Sequence, residues 1–238
     1  MDYQVVRATP KETLDRLLGA LAADRSVTAV YAGGSLARGV LDEVSDLDLW
    51  IESDHWSPES ISSLLLTGES KQMNGMPFFH GVSVGGTILD ILYGPKVRED
   101  YVKLELPEPR QIALQALPRC GLVEEFWMMS LKHRKNLWRG RYEILSYALH
   151  HDRRYLLRAW TFEGTGVDPG DQVFTLFALK TVYERFVDSS RLELLGLPLR
   201  NLDEILFAVQ RYRDEMTSLF PNITLLEATV RSLPLTKS

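Results

Sequence analysis

One cysteine, Cys120, is the entire thiol complement of the 238 residues. An internal disulfide is therefore impossible, a multi-cysteine zinc site is excluded, and a reducing compartment fits better than an oxidising one. No stretch approaches the roughly 18 consecutive apolar residues that a membrane-spanning helix needs. Residues Met1 to Glu12 show no basic end followed by an apolar run, so no secretory leader is expected there. The 16 glycines and 11 prolines are too few for a fibrous or low-complexity chain, and no internal repeat is visible. Positive charge is also short. The net balance is −5, which disfavours a general nucleic-acid binder. What is present is ordinary globular usage, 45% apolar and 25% charged, in a chain long enough for one or two domains with a real core. These observations predict a soluble, cytoplasmic protein with no membrane partner.

The charge is unevenly spread. Residues 1–120 sum to −6, residues 121–160 to +4 and residues 161–238 to −3. An acidic front half beside a basic stretch suits a cation site next to an anion site, although solvated surface charge would give the same sums.

Periodicity also divides the chain. Thr9-Pro10-Lys11-Glu12 reads as a capping box with proline at the first helical position. The helix predicted over Pro10–Ala23 puts Leu14, Leu17, Leu18 and Leu21 on one face. Strands are expected at Val27–Tyr31 and Asp46–Ile51, with a break at Gly33-Gly34 and a short helix over Ser35–Val40 between them. A helix is expected at Pro58–Leu66. Phe78–Val84 and Thr87–Tyr93 read as a hairpin turning at Gly85-Gly86. After Pro107–Pro118 the strand signals vanish. Helices are expected near 121–139, 141–160, 169–188, 201–219 and 223–232, with Asp168 capping and Pro169 opening the third of these. The predicted layout is α+β: a mixed sheet with flanking helices over residues 1–115, then a helical-bundle domain over 116–238.

The chemistry concentrates in Gly33-Gly34-Ser35-Leu36-Ala37-Arg38-Gly39 and, ten residues after Ser35, Ser45-Asp46-Leu47-Asp48-Leu49. Residues two apart on a strand share a face, so Asp46 and Asp48 should project side by side, about 7 Å apart at their roots. Carboxylates so placed repel one another unless a cation sits between them, and oxygen-only ligands suit Mg²⁺. Glycines between a strand and a helix let a backbone approach a bulky anion, and amides at a helix start favour negative charge. The Ser35 hydroxyl adds a donor, and Arg38 could reach a terminal phosphate or pair with Asp42 or Glu43. Asp90 is an acid inside the otherwise apolar run Thr87–Leu92, where an unpartnered carboxylate is costly. If its strand lies beside that of Asp48, three acids meet on one face and two metals could be held. A phosphate cradle beside such a site describes a nucleoside triphosphate with Mg²⁺.

Gly-Gly-Ser, a spacer, Ser-Asp-Leu-Asp-Leu and a later strand aspartate resemble the nucleotidyltransferase superfamily with the DNA polymerase β-like fold. A front domain of this size followed by helices is similar to the antibiotic nucleotidyltransferases, which adenylylate aminoglycosides or lincosamides. The resemblance spans Gly33 to Asp90. It implies ATP as co-substrate, Mg²⁺ held by Asp46, Asp48 and Asp90, phosphate binding at Gly34 and Ser35, to which the glycine turn itself adds Gly33, and transfer of a nucleotide to a small-molecule hydroxyl with release of pyrophosphate.

Outside the motif the residues stay open. Lys132, Lys135 and Arg139 share one helical face. Lys132 is the candidate for reaching the triphosphate if that face lines a cleft, and a solvated face is its alternative. His133 shares a lane with Phe126, Met129 and Leu137 and reads as a core residue, as do Trp127, Trp138 and Trp160. Glu124 and Glu125 compete with Asp90 as general base. Two other functions remain in play: nucleotide transfer to a protein or a tRNA end, and a non-catalytic nucleotide-binding regulatory module.

Overall fold

A computed structural model describes residues 8–95, 97–110, 121–170, 176–222 and 224–235. The chain divides into two compact units, one of residues 1–120 with 225–233 and one of residues 121–224 with 234–238.

The first unit opens with α1 (Pro10–Ala23). Its capping box is formed as the sequence predicts: Glu12 N donates to Thr9 Oγ1 at 3.2 Å and Thr9 N donates to Glu12 Oε2 at 2.7 Å. Two of the otherwise orphaned amides of the first turn are thereby satisfied. Six strands follow: β1 (Ala29–Ala32), β2 (Leu47–Glu52), β3 (Leu65–Met73), β4 (Met76–Ser83), β5 (Ile88–Gly94) and β6 (Val102–Leu104). They form one mixed sheet in the order β3-β4-β5-β2-β1-β6. β2 and β5 run parallel at its centre, and every other pair is antiparallel. The one-turn helix α2 (Gly34–Ala37) connects β1 to β2.

Alternation along the strands decides which face is core. Leu47, Leu49 and Ile51 of β2, with Leu89 and Ile91 of β5 and Phe79 of β4, pack with Leu14, Leu17, Leu18 and Leu21 of α1. Leu17 and Leu21 have no exposed surface, and burying each contributes about 2 kcal/mol. The intervening positions Asp48, Trp50, Asp90 and Leu92 necessarily face the other way. That opposite face carries the site.

In the first unit the sequence-based elements differ from the structure in several places. Asp46 precedes β2 rather than opening it, because the Asp42–Ser45 turn ends immediately before it: Ser45 Oγ donates to Asp42 Oδ1 at 2.7 Å. The helix expected at Pro58–Leu66 is a 3-10 helix over Pro58–Leu64 that gives way to β3. β3 has no alternating apolar signal because its second half is exposed at the sheet edge, so pairing with β4 rather than local pattern makes it a strand. β6 is a three-residue edge strand too short to leave a pattern.

The second unit holds α3 (Leu122–Trp138), α4 (Tyr142–Thr165), α5 (Leu176–Phe186), α6 (Ser189–Leu195) and α7 (Leu202–Leu219). Trp127 and Trp160 are buried there, with Leu149, Leu156, Val209, Tyr212 and Met216. α4 ends at Gly166, whose φ of +72° closes the helix with its N–H on Phe162 O. α7 starts at Asn201, whose side chain accepts from Glu204 N at 3.0 Å. Of the helix expected over 169–188, residues 171–175 lie outside the described residues, while Asp168 accepts from Gly170 N at 2.9 Å, two residues on, as an N-terminal cap would. α6 is short and was not expected. α8 (Leu225–Ser232) belongs to the first unit, where a side chain on Gly86 of the β4–β5 turn would meet Thr229.

Candidate active site

Parallel pairing of β2 with β5 places Asp48 and Asp90 as register partners. Asp46 stands one residue before β2. The three half-buried carboxylates each offer an oxygen within 4.8 Å of the others. Like charges this close repel one another, and the repulsion is relieved by a cation between them. The donor set is oxygen only, the chemistry that hard divalent cations such as Mg²⁺ prefer. By that test the residues fit the metal that the motif implies.

The Gly33-Gly34 turn is bound to the same spot. Gly33 N donates to Asp48 O at 2.8 Å. Gly34 has φ +52°, and a Cβ built on it would fall 2.9 Å from Asp48 Cγ and overlap the carboxylate. Only glycine allows both that backbone conformation and that approach. Ser35 is buried, 8% exposed, and its Oγ has no hydrogen-bond partner among the described residues. A buried hydroxyl in that state needs an explanation, such as a water, an ion or a ligand. Arg38 follows α2 as an exposed side chain. Asp46, Asp48, Asp90, Gly33, Gly34 and Ser35 are thus gathered in one place. Lys132 stands half-buried on α3 in the second unit.

Two neighbours of this cluster have no counterpart in the motif. Tyr101, just before β6, lies against Gly33, where a side chain would meet its ring at 2.7 Å. Its ring also meets Trp50 edge-on at 5.8 Å. Burial raises the phenol pKa, and the charge of Asp48 raises it further, followed by Asp100 and Asp90, with Arg98 opposing. The hydroxyl therefore stays protonated, a donor beside the acids. His80 of β4 is the register partner of Asp90, and its Nδ1 donates to Asp90 Oδ1. The sequence signal for His80 is a titratable side chain within the largely apolar run of β4, which is readable once Asp90 is known to be opposite. Nothing local marks Tyr101.

The helical-unit residues considered as bases are engaged elsewhere. Glu124 Oε2 accepts from Gly121 N at 3.1 Å at the start of α3. Glu125 accepts from Arg158 at 2.7 Å, and Arg158 also donates to Asp168 at 2.6 and 3.0 Å. His133 is a core residue, as its apolar lane predicts, and pairs with Asp152 at 3.1 Å. Trp138 carries Arg134 over its ring at 4.8 Å.

Residues 14–114 match the family described as a nucleotidyltransferase domain. The match encloses every member of the acidic cluster and the glycine turn. No curated protein shows significant similarity to the chain. Among solved structures, an aminoglycoside 6-adenyltransferase from Bacillus subtilis aligns over 94% of this chain and 97% of that one, at 14% identity and a TM-score of 0.30.

Proposed function

We propose that this chain, whose residues 14–114 match a nucleotidyltransferase domain, moves a nucleoside monophosphate, AMP from ATP, onto a hydroxyl of a small cationic molecule of the aminoglycoside or lincosamide class. The observation that carries the reading is the convergence of Asp46, Asp48 and Asp90 beside Gly34. The acceptor class is argued from charge: residues 1–120 sum to −6, a field that attracts a polycation and repels nucleic acid. The catalytic part is assigned to residues 1–115, and the helical residues 116–238 are read as the substrate-side domain. A reducing cytoplasm suits the single cysteine. Among the described residues no helix is long and apolar enough to cross a membrane.

Asp46, Asp48 and Asp90 would hold Mg²⁺, as one ion or two. When bound, the metal neutralises triphosphate charge and makes an attacking hydroxyl easier to deprotonate. The chain's own residues do the rest. The Gly33-Gly34 turn, held against Asp48, and the Ser35 hydroxyl are assigned to phosphate binding beside the acids. Arg38 is assigned to the outer phosphates. The acceptor oxygen forms a bond to the α-phosphorus while the bond to the β-phosphate oxygen breaks, and pyrophosphate leaves with that electron pair. The hydroxyl proton goes to a carboxylate. Asp90 is assigned this role, since Glu124 and Glu125 are committed to a helix cap and an ion pair.

Incubating the protein with labelled ATP, Mg²⁺ and a panel of aminoglycosides and lincosamides tests the reading. An acceptor heavier by one AMP, absent with Asp46→Asn or Asp48→Asn protein that still melts cooperatively, is the expected result. Label on a protein or an RNA end would replace the small acceptor with a macromolecule. ATP binding with no transfer to any acceptor would leave a regulatory module instead.

A further inference from the structure

Polar side chains run in a row across four strands. Register pairs Glu69 of β3 with His80 of β4, His80 with Asp90 of β5, and Asp90 with Asp48 of β2. Directly opposite residues project from one face, with Cβ atoms about 4.5–5.5 Å apart in antiparallel pairs. His80 is 9% exposed, and its imidazole is held at two places. Nδ1 donates to Asp90 Oδ1. Phe78, two residues earlier on the same face, stacks on the ring with centroids 6.2 Å apart and planes 18° apart.

The terminal torsion of an aspartate is broad and roughly two-fold, so an unsupported Asp90 carboxylate would sample many orientations. A hydrogen bond at Oδ1 fixes its plane. It uses one of the carboxylate's lone pairs. Phe78 in turn fixes the imidazole, so the sheet, rather than the acid itself, sets the orientation of the third carboxylate.

We propose that His80 is a positioning residue for the divalent-cation site, orienting Asp90 through the Nδ1–Oδ1 hydrogen bond. This rests on the reading that Asp46, Asp48 and Asp90 hold the metal. His80 acts through Asp90 and need not touch the cation or the substrate. Deleting such a supporting partner typically weakens metal affinity by roughly 10–100-fold.

The test is Mn²⁺ binding to the full chain without nucleotide, followed by electron paramagnetic resonance of the free ion. His80→Leu keeps apolar bulk against Phe78 but donates nothing. His80→Asn returns an N–H close to the position of Nδ1. His80→Leu should raise the Mn²⁺ Kd roughly tenfold or more, and His80→Asn should recover most of that loss. A His80→Leu protein that binds Mn²⁺ like the parent overturns the proposal. So does a His80→Asn protein that binds as weakly as His80→Leu, because packing alone would then be responsible. If His80→Leu does not fold, His80→Gln replaces it; its donor is displaced by one methylene, and binding equal to His80→Asn refutes the positioning account. Asp48→Asn separates the two levels of inference. If Asp48→Asn leaves Mn²⁺ binding unchanged, the metal reading itself fails. If Asp48→Asn loses binding while His80→Leu does not, the metal reading stands and only the role of His80 falls.

Discussion

Replacing Gly34 with alanine perturbs the site at its tightest point. The residue sits at φ +52°, where a Cβ costs roughly 1–2 kcal/mol of backbone strain. In a chain of this size that is a fall in melting temperature of roughly 2–8 °C. The larger effect is local. The new methyl would stand 2.9 Å from Asp48 Cγ, against a comfortable carbon–carbon separation of about 3.5–4.0 Å. The carboxylate must therefore retreat by about 0.6 Å or more, and it would leave a cluster whose oxygens lie within 4.8 Å of one another. Metal–ligand distances tolerate only about 0.2 Å, and a misplacement near 1 Å in a reacting group costs about a hundredfold in rate. Gly39→Ala is the matched control: φ is +68° there, but nothing lies within 4 Å of the added methyl. Both variants should lose similar thermal stability in EDTA. Only Gly34→Ala should lose Mn²⁺ binding, by roughly tenfold or more. Equal Mn²⁺ affinity in the two variants would refute the claim that Gly34 is glycine in order to admit Asp48.

Three further outcomes follow from other parts of the molecule. Tyr101→Ala should lower stability by about 2 kcal/mol through lost packing on Gly33 and Trp50 and weaken binding of a fluorescent ATP analogue, whereas Tyr101→Phe should keep the stability, as read by thermal melts and titration. Arg158→Met strands Glu125 and Asp168, which it bridges at 2.7 and 2.6 Å, and should cost about 3 kcal/mol in urea unfolding; an unchanged midpoint would show the pairs to be idle. The buried pair His133–Asp152 gives a pH signature: burial, then Arg213, pushes His133 down to about 3, while burial pushes Asp152 well above its ordinary 3.8 against the pull of Arg213. Between about pH 3.8 and 3 the unfolded pair holds two protons while the folded pair, with His133 still neutral, holds one, so its contribution falls as pH drops through that window. The double variant His133→Leu with Asp152→Leu should weaken that acid decline in a series of melts, and an unaltered decline would mean another group is responsible.

Much of the first unit is legible because it is local. The α1 cap needs only Thr9 and Glu12 three residues apart. The placement of Asp48 on the face opposite the leucine core needs only the two-residue repeat through Leu47 and Leu49, and the hairpin of β4 and β5 needs only its apolar runs and the glycine pair between them. β3 and β6 are not legible because edge strands carry little burial, so the pattern that betrays a strand is missing there. α8 reads correctly as a helix, but no periodicity says which unit it joins.

The sequence by itself determined which chemistry is possible here: a glycine turn, two acids two residues apart at the start of a strand, and a third acid too costly to bury without purpose. Tertiary structure decided that these parts meet. Parallel pairing of β2 with β5 set Asp48 opposite Asp90, pairing of β4 with β5 set His80 beside it, and the approach to β6 laid Tyr101 on Gly33. Side-chain direction repeats within a strand, so neighbours in sequence reveal it. Register between strands is fixed by hydrogen bonds and packing between segments far apart in the chain, and no local pattern encodes it.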